Sequence, residues 1–327
     1  MMSEPEVCGV LNVHKQGGVT SRDVVNVVQR LVRPAKCGHA GTLDPLASGV
    51  LLVCVGAATR LISLLSDADK TYRAEFRLGQ SSDTDDSTGR ITDHSGNGVP
   101  PVTADLQRIL AEMQGTVLQR PPDFSAVHVA GRRAYDLARR GETPDLKPRE
   151  VRIDQIRLLA YDWPRVDLEI DCGSGTYIRS IARDLGVRLG CGGLMSGLIR
   201  TRIGRFSLDQ AVGSEQLTAE TVRLHLQPSN CITAGLPQVL VSRDDRRRLE
   251  RGQSLPVAAA GLSETGGIGQ SGLIQPVTGD AAVARGGSAR VALRDEETGA
   301  LLGLAELSAC GRQLLPKVVL IRPSHDP

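Results

Sequence analysis

Apolar positions along this chain follow two periods, and the periods mark its elements. Val24, Val25, Val28, Leu31 and Val32 lie on one helical face; Thr20 and Ser21 offer the opening cap and Pro34 stops the run. Residues 50–55 are apolar throughout and predict a buried strand, and residues 57–65 predict a short helix. From 71 to 78 the pattern alternates: Tyr72, Ala74, Phe76 and Leu78 on one side, Thr71, Arg73, Glu75 and Arg77 on the other. That is a half-buried strand. Val166, Leu168, Ile170 and Cys172 alternate with Asp167, Glu169 and Asp171 in the same way. Helices are predicted around Leu106, Ile109, Leu110 and Met113, ended by Gly115, and over residues 134–140. After the turn Gly173-Ser174-Gly175, Ile178, Ile181, Ala182, Leu185 and Leu189 return to helical spacing, so Thr176 is expected to open a helix, with itself or a neighbour as cap.

The polar stretches between are read as loops, 38–45 and 80–101 among them. Asp83 and Asp85 have the look of a calcium loop, but Thr88 stands where the turn glycine belongs and His94 where the closing Glu belongs, so calcium is rejected. A break falls near 233–237. Beyond it, 258–287 is rich in Gly, Ala and Ser and is expected to be a flexible insertion, flanked by strand candidates at 290–293 and 301–307. The expected organisation is therefore a large domain over 1–236 and a small β-rich module over 237–327.

Composition narrows the classes. At 327 residues, 40% apolar and 23% charged, the chain can build a sizeable core and is not a disordered one. Its 39 basic and 37 acidic residues exclude a uniformly basic protein, though not one with a single positive face. Seven Cys without a C-x-x-C pair argue for a reducing compartment and against zinc. There is no apolar run of the ~20 residues that cross a membrane, and residues 1–6 lack a signal-peptide core. The expectation is a cytoplasmic protein.

The most unusual stretch is Gly38-His39-Ala40-Gly41-Thr42-Leu43-Asp44-Pro45. Two glycines permit rare backbone shapes, and Pro45 fixes the chain behind a lone carboxylate. Such a loop suits a catalytic acid, base or nucleophile. It equally suits a turn in which Asp44 bonds its own backbone. His39 alone is weak evidence, and no second His or Cys lies at metal-ligand spacing, so no metal is expected. Arg179, in the first turn of its helix, is either solvated or a fork reaching for a carboxylate. Tyr177 accompanies it, while Tyr72 points to the apolar side of its strand, where packing is its default fate. Basic residues cluster at Arg132-Arg133, Arg139-Arg140, Arg200, Arg202, Arg205 and 246–248. One cluster is ordinarily a solvated face; several suggest a footprint for a phosphate backbone.

Taken in order, these segments resemble the bacterial tRNA pseudouridine synthases of the TruB type. KQGGVTS (15–21) resembles the family's K-x-x-G-x-T-S opening, and GHAGTLDPLASG (38–49) its nucleophile motif. Lys70-Thr71-Tyr72, PPDFSAVHVAGRRAY (121–135), GTYIR (175–179) and LIRTRIGRF (198–206) follow in family order. The resemblance covers roughly residues 9–213 and is faint in the tail. It implies an α+β pseudouridine-synthase fold, a mixed bent sheet flanked by helices, with a PUA-like RNA-binding module behind it. It implies isomerisation of the T-loop uridine at position 55 of tRNA. The motifs carry the nucleophile onto Asp44, attacking uracil C6 or ribose C1′, its partner onto Arg179, and base stacking with help in C5 deprotonation onto Tyr72. Tyr177 and Leu198 match residues lining the uracil pocket, and His39 the residue associated with the flipped-out nucleotides. No cofactor or metal is implied. The partner is the tRNA T-arm, with no membrane and no obligate protein partner, and the chain is read as a monomer. His128 and Ser174 stand where the family commonly has Lys, Arg60 replaces a frequent Lys, and Ile199 a common Arg.

Two other functions compete. One is a catalytically silent RNA-binding or tRNA-chaperone protein on the same scaffold. The other, a carboxylate-dependent hydrolase, would need a second acidic partner, and none lies in a comparable motif.

Overall fold

The structure is a computed structural model of the chain and describes residues 7–94, 99–129, 131–257, 274–275 and 290–321. In chain order it forms β1 (Gly9–Lys15), α1 (Ser21–Leu31), β2 (Cys37–Ala40), β3 (Ser48–Val55), α2 (Ile62–Asp67) and β4 (Lys70–Leu78). Next come β5 (Gln80–Ser82), β6 (Ile91–Asp93), α3 (Thr103–Glu112), β7 (Gly115–Gln119), β8 (His128–Val129), β9 (Arg132–Arg133) and α4 (Ala134–Ala138). Then follow β10 (Arg149–Asp162), β11 (Arg165–Cys172), α5 (Ile178–Arg188), β12 (Gly193–Ile203), β13 (Phe206–Ser207), β14 (Val212–Gly213) and α6 (Val222–His225). The last are β15 (Gln238–Val241), α7 (Arg243–Glu250), β16 (Leu255–Pro256), β17 (Ile274–Gln275), β18 (Arg290–Asp295), β19 (Leu301–Leu307) and β20 (Gln313–Val319).

A ten-stranded mixed sheet runs β14-β1-β3-β12-β4-β11-β10-β7, with β13 beside β12 and β2 beside β3. Strand β3 explains its unbroken apolar run. Leu51, Val53 and Val55 pack with Val24, Val25 and Val28 of α1, while Val50, Leu52 and Cys54 pack with Leu65 of α2. A strand covered on both faces has no polar side to show. Helix α1 opens on a capping box, Thr20 with Asp23, each satisfying the other's backbone N–H. Such a cap contributes about 1 kcal/mol. On the far half of the sheet, α3 and α5 cover β4, β10, β11 and β12 through Leu106, Ile109, Ile181 and Leu185.

The edge of β3 is shared, and this builds the site. Ala40 to Cys37 of β2 pair with Leu52 to Val55, whereas Ser48 and Gly49 pair in parallel with Ile199 and Arg200 of β12. The connection between β2 and β3 therefore leaves the sheet where β12 enters it. At Gly49 (φ +111°) an added Cβ would lie 2.2 Å from the Arg200 carbonyl oxygen, so only glycine lets the two backbones meet.

A six-stranded sheet, β16-β20-β19-β18-β15-β17, follows Pro237. It joins the first through an apolar cluster of Leu61, Leu301, Leu304 and Ile232. The Asn230 side chain accepts from Leu301 N–H (3.0 Å) and donates to the Gly299 carbonyl (3.1 Å). The fold is α+β, as expected.

Several local expectations are corrected. Residues 37–40 are strand, not loop, because β3 offers them a free edge. Within 80–101, β5 and β6 form a short hairpin. The predicted helix over 57–65 is a 3₁₀ turn (Gly56–Leu61) followed by α2. Of the two cap options for α5, the neighbour Tyr177 is the cap residue, without a side-chain bond, and the helix opens at Ile178 rather than Thr176, whose Oγ1 donates to Gly173 O at 3.2 Å. The expected flexible insertion at 258–287 lies outside the described residues, apart from β17.

Candidate active site

Asp44 rides on the loop joining β2 to β3, and the loop's backbone is held at Gly41, Leu43 and Pro45. Gly41 O accepts from Arg200 Nη2 at 2.9 Å. Ser21, buried at the start of α1, donates to Leu43 O (3.1 Å) and accepts from Leu43 N–H (2.9 Å). Pro45 O accepts from Gly18 N–H at 2.8 Å. The buried Lys15 ammonium reaches Val19 O (2.7 Å), Gln16 O (3.0 Å) and, more loosely, Pro45 O (3.4 Å). With its backbone fixed, the loop presents the Asp44 side chain, still about a third exposed (36%).

That side chain meets Arg179 side-on: Nε to Oδ2 is 3.0 Å and Nη2 to Oδ1 is 3.3 Å. Two parallel contacts from a planar fork fix both distance and orientation. Arg179 is 6% exposed and gathers three further groups, donating to Thr84 O (3.0 Å) and Phe124 O (3.1 Å) and standing 3.5 Å from Asp86 Oδ2. Asp86 is buried; its Oδ1 accepts from Thr84 Oγ1 (2.8 Å), Thr88 N–H (2.9 Å) and Thr88 Oγ1 (2.6 Å). A second carboxylate thus shares the arginine, which the sequence reading missed. Burial holds the Asp44 carboxyl above the usual carboxylate range; Arg179 and Lys15 pull it down, and Asp86 pushes it up.

Tyr72 lies on β4, opposite Arg200 on β12 and Ile170 on β11. It is buried in one apolar cluster with Leu43, Ala47 and Leu198. Burial raises its phenol above the ordinary range, the Arg200 charge opposes this, and the nearby Asp44 charge adds to it. Asp44 is thus paired with Arg179, while Tyr72 and Leu198 belong to the apolar cluster that Leu43 and Ala47, on either side of Asp44, also enter. His39, on β2 opposite Val53, has a buried Nδ1 with no partner. Burial, then the charges of Arg22 and Arg200, lower its pKa.

Tyr177 packs against Val127, Ala134 and Leu146, the cluster beneath β8, β9 and α4. Its backbone is gripped at both ends by Gln119 of β7: Tyr177 N–H donates to Oε1 (2.8 Å) and Nε2 donates to Tyr177 O (3.1 Å). Gln119 is buried, so Gln119→Leu strands the Tyr177 N–H, while the Tyr177 carbonyl keeps the Ile181 N–H at 3.3 Å. We expect it to cost about 1–3 kcal/mol of stability, which a thermal melt measures. An unchanged melt would show that the grip is dispensable.

Not all of the basic positions are free to meet a phosphate. Arg200 is 1% exposed, Arg202 pairs with Asp171 at 3.4 Å, and Arg246 pairs with Asp295 at 2.9 Å. Arg132, Arg133 and Arg140 line a hollow of about 450 Å³ with His128 and Tyr135, and Arg139 lies over the Tyr135 ring at 5.4 Å. Among the described residues there is no group of His, Cys, Asp or Glu fit to hold a metal ion, and no helix long and apolar enough to cross a membrane.

The family described as TruB family pseudouridylate synthase (N terminal domain) matches residues 29–178, and the tRNA pseudouridylate synthase B C-terminal domain matches 179–232. The chain is an isomerase of the pseudouridine-synthase class. Relatives bear this out at the level of sequence. The tRNA pseudouridine synthase B of Thermobifida fusca (strain YX) is 41% identical over 279 residues, 82% of this chain and 91% of that one. That of Mycobacterium sp. (strain KMS) is 43% identical over 229 residues, 68% and 76% of the two chains. The protein belongs to the TruB family. In fold it is similar to the solved archaeal box H/ACA sRNP Nop10-Cbf5 complex, at TM-score 0.68 and 23% identity over 97% of this chain and 87% of that chain. A Cbf5-Nop10-Gar1 complex gives TM-score 0.69 and 24% identity over 96% and 85%.

Proposed function

We propose that this protein converts the T-loop uridine at position 55 of tRNA to pseudouridine, with Asp44 as covalent nucleophile. The observation that carries the reading is the side-on Asp44–Arg179 pair on a clamped loop next to the buried Tyr72 ring. The relatives' names supply tRNA as the substrate class.

The chemistry follows from those groups. The base is extruded from folded RNA, and its unstacking is offset by the Tyr72, Leu198 and Tyr177 side chains. The Asp44 carboxylate, aimed by Arg179, attacks C6 or C1′. The C1′–N1 bond breaks, the uracil turns, C1′–C5 forms, the Asp44 carboxylate leaves the carbon it attacked (displaced from C1′ by C5, or eliminated from C6), C5 loses its proton and N1 gains one. Atoms balance without a cofactor. We further propose that residues 1–236 carry this chemistry and that 237–327 form a PUA-like RNA-binding module. A catalytically silent RNA-binding role is not favoured, since it has no use for an ion-paired carboxylate left accessible.

The test is isomerisation of unmodified T-arm RNA, with a cytidine-55 substrate as control. Product at another uridine would overturn the position; no product at all would overturn the activity. The pH dependence is a separate check. Asp44 must be ionised to attack, and its pKa is raised. The acid limb of kcat/KM is therefore expected at a pH above the ~3.9 of an ordinary Asp. An acid limb within the ordinary range would contradict this.

A further inference from the structure

We propose that Arg200 is a positioning residue for the isomerisation, stabilising the Tyr72 phenolate so that it can take the C5 proton, and tying that ring to the nucleophile loop. The inference rests on the reading of Asp44 and Tyr72 above. Arg200 and Tyr72 are directly opposed on β12 and β4, a position in which side chains of adjacent strands touch. The guanidinium is almost wholly buried, and its Nε donates to Val50 O (2.8 Å) and its Nη2 to Gly41 O (2.9 Å). Both partners are neutral carbonyls. A guanidinium has no acceptor, so toward the phenol oxygen it can only donate. A buried cation facing neutral groups is costly; an anion on Tyr72 is what would neutralise it.

The neighbours point the same way. Lys15, Lys70 and His39 all feel the Arg200 charge as a repulsive one. Around Tyr72 the opposing groups are Asp44 and the Cys172 thiol. Burial keeps the phenol protonated in the resting protein, and Arg200 is the group that opposes it. In the step itself the Tyr72 hydroxyl gives its proton to solvent. The phenolate takes the proton from C5, the C–H electron pair returns to the uracil ring, and N1, released from C1′, is protonated by solvent.

The experiment uses the full chain and T-arm RNA carrying uridine or 5-deuterouridine at the target. Arg200→Gln is expected to slow single turnover at least tenfold, with Arg200→Lys between it and wild type. The deuterium effect should grow, and 3-fluorotyrosine at position 72, a more acidic phenol, should restore most of the rate. A structural role would produce neither the isotope effect nor the rescue. With Arg200 intact, the same fluorotyrosine should move the pH–rate profile to lower pH, which keeps the test valid if the Arg200 variants fail to fold. An unmoved profile, or a folded Arg200→Gln protein with no change in isotope effect and no rescue, overturns the proposal. A fully active Asp44→Asn would instead sink the reading of the site on which it stands.

Discussion

Asp44→Asn is expected to abolish isomerisation of T-arm RNA while leaving the RNA bound. Asn matches Asp in size but brings no anion to the electrophilic carbon, so covalent catalysis stops; a loss on the order of 10⁴-fold or more is expected for removal of a nucleophile. The loop should not collapse. Its restraints act on the backbone of Gly41, Leu43 and Pro45, not on the Asp44 side chain. Affinity is expected to survive because phosphate contacts dominate it, and losing a negative charge beside the substrate does not oppose RNA. Single-turnover assay and a binding titration on the same sample separate the two. Full activity in this variant ends the nucleophile assignment.

Arg179→Ala should be the next most damaging change, and it should act on fold and chemistry together. The arginine joins Asp44 to Thr84, Asp86 and Phe124, segments far apart in the chain. Its removal leaves Asp86 buried without its cation, a situation that costs about 3–5 kcal/mol. It also leaves two carboxylates facing each other, so Asp44 should protonate at still higher pH and the acid limb should move up. Loss of one preorganised charge contact of this kind lowers kcat by roughly 10²–10³-fold. Arg179→Lys keeps the charge but not the fork. It should retain most of the stability and little of the rate. If Arg179→Lys matches wild type in rate, orientation of the carboxylate is not what the arginine provides.

Much of this was legible in the sequence, for identifiable reasons. The strict alternation at 71–78 placed Tyr72 on the buried face of β4, and α5 carried Arg179 in its first turn as expected. What escaped depended on partners the local pattern does not contain. Residues 37–40 have no alternation, and only the free edge of β3 makes them a strand. Asp86 sat in a polar run read as loop. The signal was there in Asp83, Asp85 and Asp86, too many carboxylates for a turn with no metal to serve, but nothing local aimed one of them at Arg179. Arg200 falls, by sequence, among the basic clusters that suggest a phosphate footprint, yet it is buried. Its place two residues from the apolar Leu198, on the buried side of a strand whose Ile199 is exposed, could have set it apart.

The pairing of β3 with β12 has a consequence for how the protein is made. The Asp44 loop is synthesised before Arg200, which fixes Gly41 and Val50 and lies 150 residues beyond Val50. At ~5–20 residues per second, roughly 8–30 s pass between the two. Throughout that interval the first three strands have no neighbour along half of one edge, and the nascent chain holds a carboxylate it cannot yet use. A product that stops short of Arg200 therefore lacks the side chain that fixes Gly41 and Val50, and leaves that stretch of the β3 edge unpaired.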